Sequence, residues 1–512
     1  MIFLTNYGFV IDNRKCIGCH ACTVACKAEH DVSVGVFRTW VKYIEKGEYP
    51  NTRRLFSVMR CNHCENAPCV NICPVTALYT REDGIVDFDG SRCIACKSCM
   101  QACPYDALYI DPKTQTAAKC NYCSNRVEVG LEPACVVVCP EQAIIPGDLD
   151  NPNSKISKLI AHETVSVRKE AKGTYPNVFY IDGDSIMLTP NKSTEHADYM
   201  WSSQASGVGH HTGHQTHMDD GKMDPKNLTK RVYDAPSKGR LWGWQVPAYL
   251  TSKSLGAGVG ILAMMLSLFD YTPSNNFFKA SYVSIIAFMV LTALFLVLDL
   301  DQPKRFHTVL LRPNWSSWLA RGAYIITTYG ALVSLSLLLA LLDSSYQPGT
   351  VMAVILIVFA LLTAVYTAFL FAQAKGRDFW QSPLLPFEMI IHSGLTGSAF
   401  ILIMNELNSI LSQKEADFTQ NVLLWTAGLS LVFSLAELVI THPTEDAHQT
   451  AEMLRNGKYA KDYWLGIGLT SVLPLLLLSF MSFNLLIGII AIIGVYVMNR
   501  TWVYAPQELS LI

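Results

Sequence analysis

Residues 93–110 read CIACKSCMQACPYDALYI, a run in which four cysteines are spaced C-x2-C-x2-C-x3-C and the last is followed by proline. The same spacing begins at residue 16, and a set with a longer central gap begins at residue 61. A fourth set has a long insertion before its last pair: Cys120, Cys123, Cys135 and Cys139. All 16 cysteines of the 512-residue chain lie in these four sets, so one cysteine motif is repeated four times before residue 140.

This spacing is typical of 4Fe-4S ligands, because one tight loop supplies three thiolates and the fourth comes from elsewhere in the fold. Sixteen thiolates at four per cluster predict four clusters. In two-cluster ferredoxins, the cysteine before the proline ligates the other cluster of the pair. Extending that rule to an outer and an inner pair of sets gives a hypothesis for the ligands: Cys16, Cys19, Cys22 with Cys139; Cys120, Cys123, Cys135 with Cys26; Cys61, Cys64, Cys69 with Cys103; and Cys93, Cys96, Cys99 with Cys73.

Zinc sites and disulfides are the alternatives that a cysteine-rich sequence raises. Structural zinc sites also use C-x2-C pairs, but they take two pairs per metal and rarely four evenly spaced cysteines before a proline. Disulfides require an oxidising compartment and a secretory signal. Residues 1–15, MIFLTNYGFVIDNRK, contain neither a cleavable apolar run nor a twin arginine, so clusters are the favoured interpretation.

Residues 1–186 are predicted to form an α+β domain around these clusters. Short β-rich runs alternate with the cysteine loops, as in YGFVID at 7–12, GIVDFDG at 84–90 and ALYID at 107–111. This alternation predicts a double ferredoxin-like fold, with one unit nested in the other. We expect little ordinary hydrophobic core and a largely unfolded apo form, because the clusters hold such a domain together.

A linker is predicted at 187–240, where periodicity is lost and Ser, Gly, His, Asn, Asp and Lys dominate. Four histidines in it are a candidate metal site, but nothing near them in the sequence fixes a geometry, and a flexible tether is favoured. They are His210, His211, His214 and His217. The net charge of the whole chain is −2, which gives no sign of a nucleic-acid partner.

Residues 241–512 are predicted to form an all-α membrane domain. Eight apolar runs of about 20 residues or more occur there, each long enough to cross a hydrocarbon core of about 30 Å. The sequence therefore predicts eight transmembrane helices, near 246–269, 278–300, 317–342, 349–373, 384–411, 419–440, 463–481 and 483–499.

The basic residues predict the orientation of these helices. On the far side of the membrane only Lys279 and Lys414 occur, against eleven basic residues on the side of the cysteine-rich domain. By the positive-inside rule, the chain is expected in the inner membrane with its cysteine-rich domain in the cytoplasm. The eleven are Lys238, Arg240, Lys304, Arg305, Arg312, Lys375, Arg377, Arg455, Lys458, Lys461 and Arg500.

Polar side chains inside the predicted spans are candidates for function, because charge is costly in a bilayer. Glu388 and His392 are four residues apart and share one helix face, where they can hydrogen-bond a quinone carbonyl and pass protons to it. Further candidates near the same surface are Lys253, Arg321 and Tyr324, with Asp299 and Glu437 also in the spans. Snorkelling to the interface is the alternative for Lys253, Asp299 and Arg321.

Two polar features of the spans carry less weight. Glu406, with Asn405, is predicted nearer the opposite surface, as either a proton-path or an interfacial residue. No two histidines are spaced across the helices as a bis-histidine haem requires, so no haem is expected.

Both halves of the chain resemble known families. Residues 1–186 are similar to the four-cluster electron-transfer subunit of molybdopterin oxidoreductases of the dimethyl-sulfoxide and polysulfide reductase group, through CIGCHACTVACKAEH, RCNHCENAPCVNICPVTAL, CIACKSCMQACPYDALYI and ACVVVCP. The last 270 or so residues resemble the NrfD-like membrane subunit of polysulfide reductase, through WGWQVPAYLTSKSLGAG, LLRPNWSSWLARGAY, GRDFWQSPLLP and DYWLGIGLTSVLPLLL. The resemblance implies a quinone, menaquinone or ubiquinone, bound near the iron–sulfur partner, no haem, and a molybdenum or tungsten bis-pterin subunit.

The expected function is therefore an electron wire and a quinone site in one chain. The sequence has no residues suited to substrate chemistry, which is expected to belong to the cofactor of a partner. Alternatives are the equivalent module of a nickel-iron hydrogenase, a module of an ion-translocating quinol-oxidising complex, and a purely structural anchor.

Overall fold

The computed structural model describes residues 5–189, 229–269, 271, 273–343, 346–480 and 484–511, and the chain divides into two compact units. The cysteine unit comprises the residues up to Leu241 together with Ala374–Arg377 and the residues from Gln507 on. The helical unit comprises Trp242–Gln373 and Asp378–Pro506. The predicted fold class, an α+β domain followed by an all-α membrane domain, is confirmed.

The cysteine unit contains two sheets and two hairpins. One sheet has the strand order β8-β1-β10-β9, with β1 parallel to β10 and antiparallel to β8, and the other has the order β11-β2-β3. The hairpins β4-β5 and β6-β7 each follow a Cys-Pro dipeptide. The strands are β1 Tyr7–Asp12, β2 Thr39–Lys46, β3 Arg53–Arg60, β4 Leu78–Thr80, β5 Val86–Phe88, β6 Tyr109–Asp111, β7 Thr116–Ala118, β8 Ile144–Asp148, β9 Val165–Ser166, β10 Val178–Ile181 and β11 Thr229–Tyr233.

The helices of this unit are short, and three of them are flanked by a cysteine: Cys73 follows α2, Cys103 follows α3 and Cys123 precedes α4. Pro68 occupies the first turn of α2, where its missing N–H has no intrahelical partner to lose. The helices are α1 Ala21–Glu29, α2 Pro68–Ile72, α3 Ser98–Ala102, α4 Ser124–Val127, α5 Ala134–Val137, α6 Lys155–His162 and α7 Ser185–Leu188.

The expectation of little hydrophobic core in this unit was wrong. Phe9, Ile11, Ile44 and Val178 are fully buried in one apolar cluster, and a second cluster surrounds Ile156. Each such side chain contributes roughly 1.5–3 kcal/mol when removed from water. The prediction failed because these residues sit on strands far apart in the sequence, so no single stretch between the cysteines looks like a core.

Part of the predicted linker forms regular structure. Residues 229–233, assigned to the linker at 187–240, form β11, which pairs antiparallel with β2. Asp234 follows β11 and is buried, where it accepts a hydrogen bond from Trp40 Nε1 (2.8 Å) and lies 3.7 Å from Lys42 Nζ. Burial lowers the pKa of Lys42 well below its usual value. The four histidines of the predicted linker lie outside the described residues.

The residues that complete the cysteine unit come from late in the chain. The N–H of Gly376 donates to Gln101 O, and Arg377 Nε donates to Gln101 Oε1. Gln507 Oε1 accepts from Gln101 Nε2 and from the N–H of Leu241. Helix α3 is therefore held by segments that lie more than 270 residues further along the sequence.

The described part of the helical unit contains eight helices long and apolar enough to cross a membrane, as predicted. The seventh span has a π-helical turn at Gly468–Val472 between α16 and α17. The helices are α8 Gln245–Leu268, α9 Asn275–Leu298, α10 Thr308–Leu311, α11 Trp318–Leu342, α12 Thr350–Gln373, α13 Leu385–Asn408, α14 Gln413–Val439, α15 Glu445–Arg455, α16 Ala460–Ile467, α17 Leu473–Phe480 and α18 Asn484–Tyr504.

Helices α8 and α13 form the centre of this unit. Of an 18-residue apolar stretch in each span, 83% of the residues are buried in α8 and 72% in α13, against 28% in α9. The two helices meet at Gly258 and Gly397, where a Cβ on either glycine would overlap the backbone of the other helix. Small residues at a crossing let two backbones approach closely, which is how membrane helices gain packing energy.

Candidate metal centres and membrane site

Twelve of the sixteen cysteines line three cavities in the cysteine unit, and each of these cavities combines cysteines from two different sets. One is lined by Cys73 with Cys93, Cys96 and Cys99. A second contains Cys103 with Cys61, Cys64 and Cys69. A third contains Cys26 with Cys120, Cys123 and Cys135. In the remaining group, the Cys16 thiol is within electrostatic reach of Cys19, Cys22 and Cys139.

The cysteine thiols are grouped in fours. All sixteen cysteines are free. Among the described residues, no three or more His, Cys, Asp or Glu side chains are placed to hold one metal ion. A tetrahedral zinc with Zn–S bonds of about 2.3 Å would draw the sulfurs closer than a four-iron cubane does. The donor set of four thiols around each cavity fits 4Fe-4S clusters.

The backbone repeats one unusual conformation around these cavities. The residue two after the first cysteine of each set has a positive φ: Gly18 (74°), His63 (44°), Ala95 (56°) and Tyr122 (61°). The residue three after each Cys-Pro cysteine does the same: Thr76 (50°), Asp106 (52°) and Gln142 (49°). A non-glycine residue held there costs roughly 1–3 kcal/mol, so the surroundings must impose the loop shape.

This conformation turns backbone N–H groups towards sulfur. The N–H of Ala77 donates to Cys73 Sγ (3.2 Å), and the N–H of Ala143 donates to Cys139 Sγ (3.2 Å). Ala107 has the same relation to Cys103. Hydrogen bonds to cluster sulfurs are one of the means by which a protein sets a reduction potential.

Burial raises the pKa of several of these thiols. Burial raises the pKa of Cys96 to about 12 and that of Cys123 to about 11. Without iron these groups are therefore neutral thiols at physiological pH, and cluster assembly must displace their protons. His30 Nε2 lies 3.1 Å from Cys123 Sγ, and burial lowers the pKa of His30 to about 4.

The helical unit contains a second candidate site, at the start of α13. Glu388 and His392 are both buried on one face of this helix, with His392 Nε2 3.9 Å from Glu388 Oε1. That distance is too long for a hydrogen bond. Among the described residues, His392 Nε2 has no hydrogen-bond partner. Nε2 is therefore buried with an unused capacity to donate or accept a hydrogen bond.

Residues from three other elements complete this site, and the sequence did not assign them to it. Glu437 of α14 is close enough to Glu388 for the two carboxyl groups to interact, and its Oε2 accepts from Ser382 Oγ (3.0 Å). Tyr463 of α16 is within electrostatic reach of both carboxyl groups. Glu437 was visible in the sequence as a charge in a span, but no local pattern connects it to a residue 49 positions earlier.

The other predicted site residues do not join this group. Lys253 is completely buried, so the snorkelling alternative is wrong for it, and its Nζ donates to Ala364 O (2.8 Å) and Thr367 Oγ1 (2.6 Å). Arg321 is exposed and donates from Nε to Trp315 O. Tyr324 donates to Leu310 O. Asp299 is buried at the C-terminal end of α9, and Glu406 is exposed on α13.

Three family models match the protein. A 4Fe-4S binding domain matches residues 14–31, and a 4Fe-4S dicluster domain matches residues 52–149. The family described as polysulphide reductase, NrfD, matches residues 235–507, which is more than half of the sequence.

Curated proteins similar to the N-terminal part include iron–sulfur and electron-transfer subunits of reductases. The B subunit of tetrathionate reductase from Salmonella typhimurium is 46% identical over 190 residues, covering 36% of this chain and 76% of that protein. The thiosulfate reductase electron transfer subunit PhsB of Salmonella typhi is 44% identical over 176 residues, covering 34% and 91%. The arsenate respiratory reductase iron–sulfur subunit ArrB of a Shewanella species is 33% identical over 225 residues, covering 34% and 95%.

Proposed function

The protein belongs to the polysulphide reductase NrfD family, and we propose that it carries electrons through four 4Fe-4S clusters between a molybdopterin-containing catalytic subunit and a membrane quinone. It is an iron–sulfur electron-transfer protein fused to a multi-pass membrane domain. The observation that carries the proposal is the grouping of cysteines from separate sets around shared cavities. That grouping supports the crossed ligand sets stated above, with four clusters in one unit.

The exposure of the cysteines supports one position for the contact with the catalytic subunit. Cys19 is exposed, and Cys16 and Cys139 are half-buried, whereas the cysteines lining the cavity with Cys103 are all buried. A cluster held by Cys16, Cys19, Cys22 and Cys139 is therefore the one most open to a partner protein. We propose that the catalytic subunit exchanges electrons there.

The site on α13 supports the quinone as the other electron partner. A quinone supplies two-electron chemistry coupled to two protons. The residues of this protein would hold its carbonyl with His392 Nε2 and exchange protons through Glu388 and Glu437. Buried, closely spaced carboxyl groups share protons readily because both cannot be ionised at low cost. Lys253 would support the packing of α8 against α12, and Arg321 and Tyr324 would fix the loop before α11.

The charge distribution supports an orientation. Eleven basic residues in the loops on the side of the cysteine unit, against two on the other, favour the inner membrane with that unit in the cytoplasm. Accessibility of a protease added from either side of sealed vesicles would test this orientation.

Metal analysis of the gently solubilised complex tests the proposal as a whole. We expect about sixteen irons per copy, together with molybdenum or tungsten from a copurifying chain. Copurified nickel would contradict the molybdopterin partner and indicate a nickel-iron hydrogenase in its place. Iron without any of these metals would contradict the proposed partner class and favour a quinol-oxidising assembly.

The ligand sets have their own test, based on which substitutions remove the same cluster. Cys61→Ser and Cys103→Ser should abolish or alter the same EPR signal of the reduced protein, whereas Cys99→Ser should alter a different one. Cys73→Ser should then match Cys99→Ser. If Cys103→Ser matches Cys99→Ser instead, the crossing is wrong and each set holds its own cluster.

A further inference from the structure

Arg60 is a fully buried cation whose side chain points away from the cysteine set that follows it in the sequence. It ends β3 and directly precedes Cys61 in the sequence. Its side chain nevertheless lines the cavity formed by a different group, Cys26, Cys120, Cys123 and Cys135. The guanidinium reaches this cavity because residues of β3 alternate in direction, which points Arg60 away from the loop that begins at Cys61.

The contacts of Arg60 are with sulfur, a hydroxyl and an aromatic ring. Nη2 donates to Cys135 Sγ (3.2 Å) and to Thr39 Oγ1 (3.3 Å), and the guanidinium lies 4.2 Å from the centre of the Phe9 ring. Among the described residues, Nε and Nη1 have no hydrogen-bond partner. The guanidinium is within electrostatic reach of the sulfurs of Cys135, Cys120 and Cys26 in this group, and of Cys22 in the neighbouring group.

A second buried arginine in the same unit shows what an ordinary pairing looks like. Arg231 of β11 is also buried, but its Nη1 lies 3.6 Å from the carboxylate of Asp234. An uncompensated charge is costly in such a position, so a negative partner stabilises a buried arginine. For Arg60, an anionic cluster on the neighbouring thiolates would supply that charge.

We propose that Arg60 is the counter-ion of the cluster held by Cys26, Cys120, Cys123 and Cys135, and that it raises the reduction potential of this cluster. Reduction adds one negative charge to the cluster, and a fixed cation in a poorly solvated site stabilises that added charge. Arg60 is thus a positioning and tuning residue for electron transfer. The inference rests on the ligand set proposed above.

The test is a redox titration of the full complex, followed by EPR, with Arg60→Gln. Loss of the positive charge should lower the potential of one cluster so that its reduced fraction, relative to the oxidised fraction, falls at least tenfold at a given ambient potential. That factor is about 59 mV for a one-electron couple. Arg60→Lys retains the charge but not the hydrogen bond to Cys135, so its decrease should be smaller and in the same direction.

The matched control is Arg231→Gln, which removes a buried arginine that has a carboxylate partner and should leave all four potentials unchanged. Iron content is measured in every variant. If Arg60→Gln binds less iron, the potential measured in Arg60→Lys becomes the test. An unchanged or higher cluster potential in Arg60→Lys would then overturn the proposal. Equal shifts in all four clusters, or no shift with full iron content, also overturn it.

Cys135→Ser separates this inference from the ligand assignment. The cluster that shifts in Arg60→Gln should be the one that Cys135→Ser and Cys26→Ser alter. If Cys135→Ser and Cys26→Ser alter different clusters, the ligand set is wrong. If they alter the same cluster and Arg60→Gln shifts another, the role of Arg60 is wrong.

Discussion

The two units differ in what fixes their backbones. Among the described residues, fourteen non-glycine residues of the cysteine unit have positive φ, whereas in the helical unit only Ser409 does. The helices of the cysteine unit have four to nine residues, and the spans of the helical unit have 19 to 27. Long helices satisfy their own hydrogen bonds, as a bilayer requires, whereas short loops with left-handed residues depend on groups outside themselves.

The comparison also extends to buried charge. In the cysteine unit, some buried cations face sulfur or a buried carboxylate, as Arg60 faces Cys135 and Lys42 faces Asp234, whereas Lys119 donates to the carbonyls of Val86 and Cys120. In the helical unit, Lys253 is buried with a carbonyl and a hydroxyl as its hydrogen-bond acceptors. Arg60 and Lys42 of the first unit therefore have sulfur or carboxylate partners, whereas Lys253 of the second unit has neutral oxygen acceptors.

The largest expected effect comes from removing iron. Treatment of the reduced complex with an iron chelator should unfold most of the cysteine unit, because the loops lose the group that holds their left-handed residues. Most of the far-UV helical signal should remain. Limited proteolysis should then leave a protected fragment that begins near Trp242. Protein treated with iron-saturated chelator is the control, and a protease-resistant apo cysteine unit would contradict this difference between the units.

The reverse disruption is Gly258→Leu, at the crossing of α8 and α13. The side chain has no space there, since even a Cβ would overlap Ser393 O, so this variant should fail to give a monodisperse protein in detergent. Gly330→Leu is the matched control, because nothing lies within 4 Å of a Cβ at that glycine. Size-exclusion chromatography measures the outcome, and similar profiles for the two variants would show that the close crossing does not hold the helical unit together.

A smaller effect is expected from Asp234→Ala, which leaves the buried cations Lys42 and Arg231 without their carboxylate. Breaking a buried pair in this way costs about 3–5 kcal/mol, so β11 should detach and the cysteine unit should unfold at lower denaturant. Asp182→Ala, which breaks an exposed pair with Arg53, should cost at most about 1 kcal/mol. The free energies of unfolding of the two variants are compared by denaturant titration, followed through the visible absorbance of the clusters. Equal losses in the two variants would mean that β11 is not fixed by buried charge.

The most local effect is expected from Glu388→Gln. Removal of this carboxyl group should lower the rate of quinol-dependent cluster reduction at least about 100-fold, because proton transfer at the site is lost. Cluster EPR signals and iron content should not change. Glu406→Gln makes the same change at an exposed position of α13 and should retain the full rate. A rate that is normal in Glu388→Gln would move the quinone site elsewhere.

Much of this architecture could be predicted because its signals are local. Four cysteines within about a dozen residues indicate a cluster-binding loop, since such a loop must place three thiolates on one side of a tight turn. The eight spans were likewise predicted, because each helix must carry its own apolar length across the bilayer. The face shared by Glu388 and His392 follows from helix geometry alone.

Other features were decided only by the tertiary structure. The pairing of β11 with β2, the approach of Glu437 to Glu388 and the contact of Arg60 with Cys135 join residues 49 to about 190 positions apart. No period in the sequence encodes such contacts, and a charged strand such as TKRVY reads as linker until its buried partners are known. By itself, the sequence determined that the protein has cluster-binding loops and membrane spans, because cysteine spacing and the length of an apolar run are properties of one segment. The folded structure decided which groups surround that chemistry, because burial and charge compensation depend on what other segments bring to the same place.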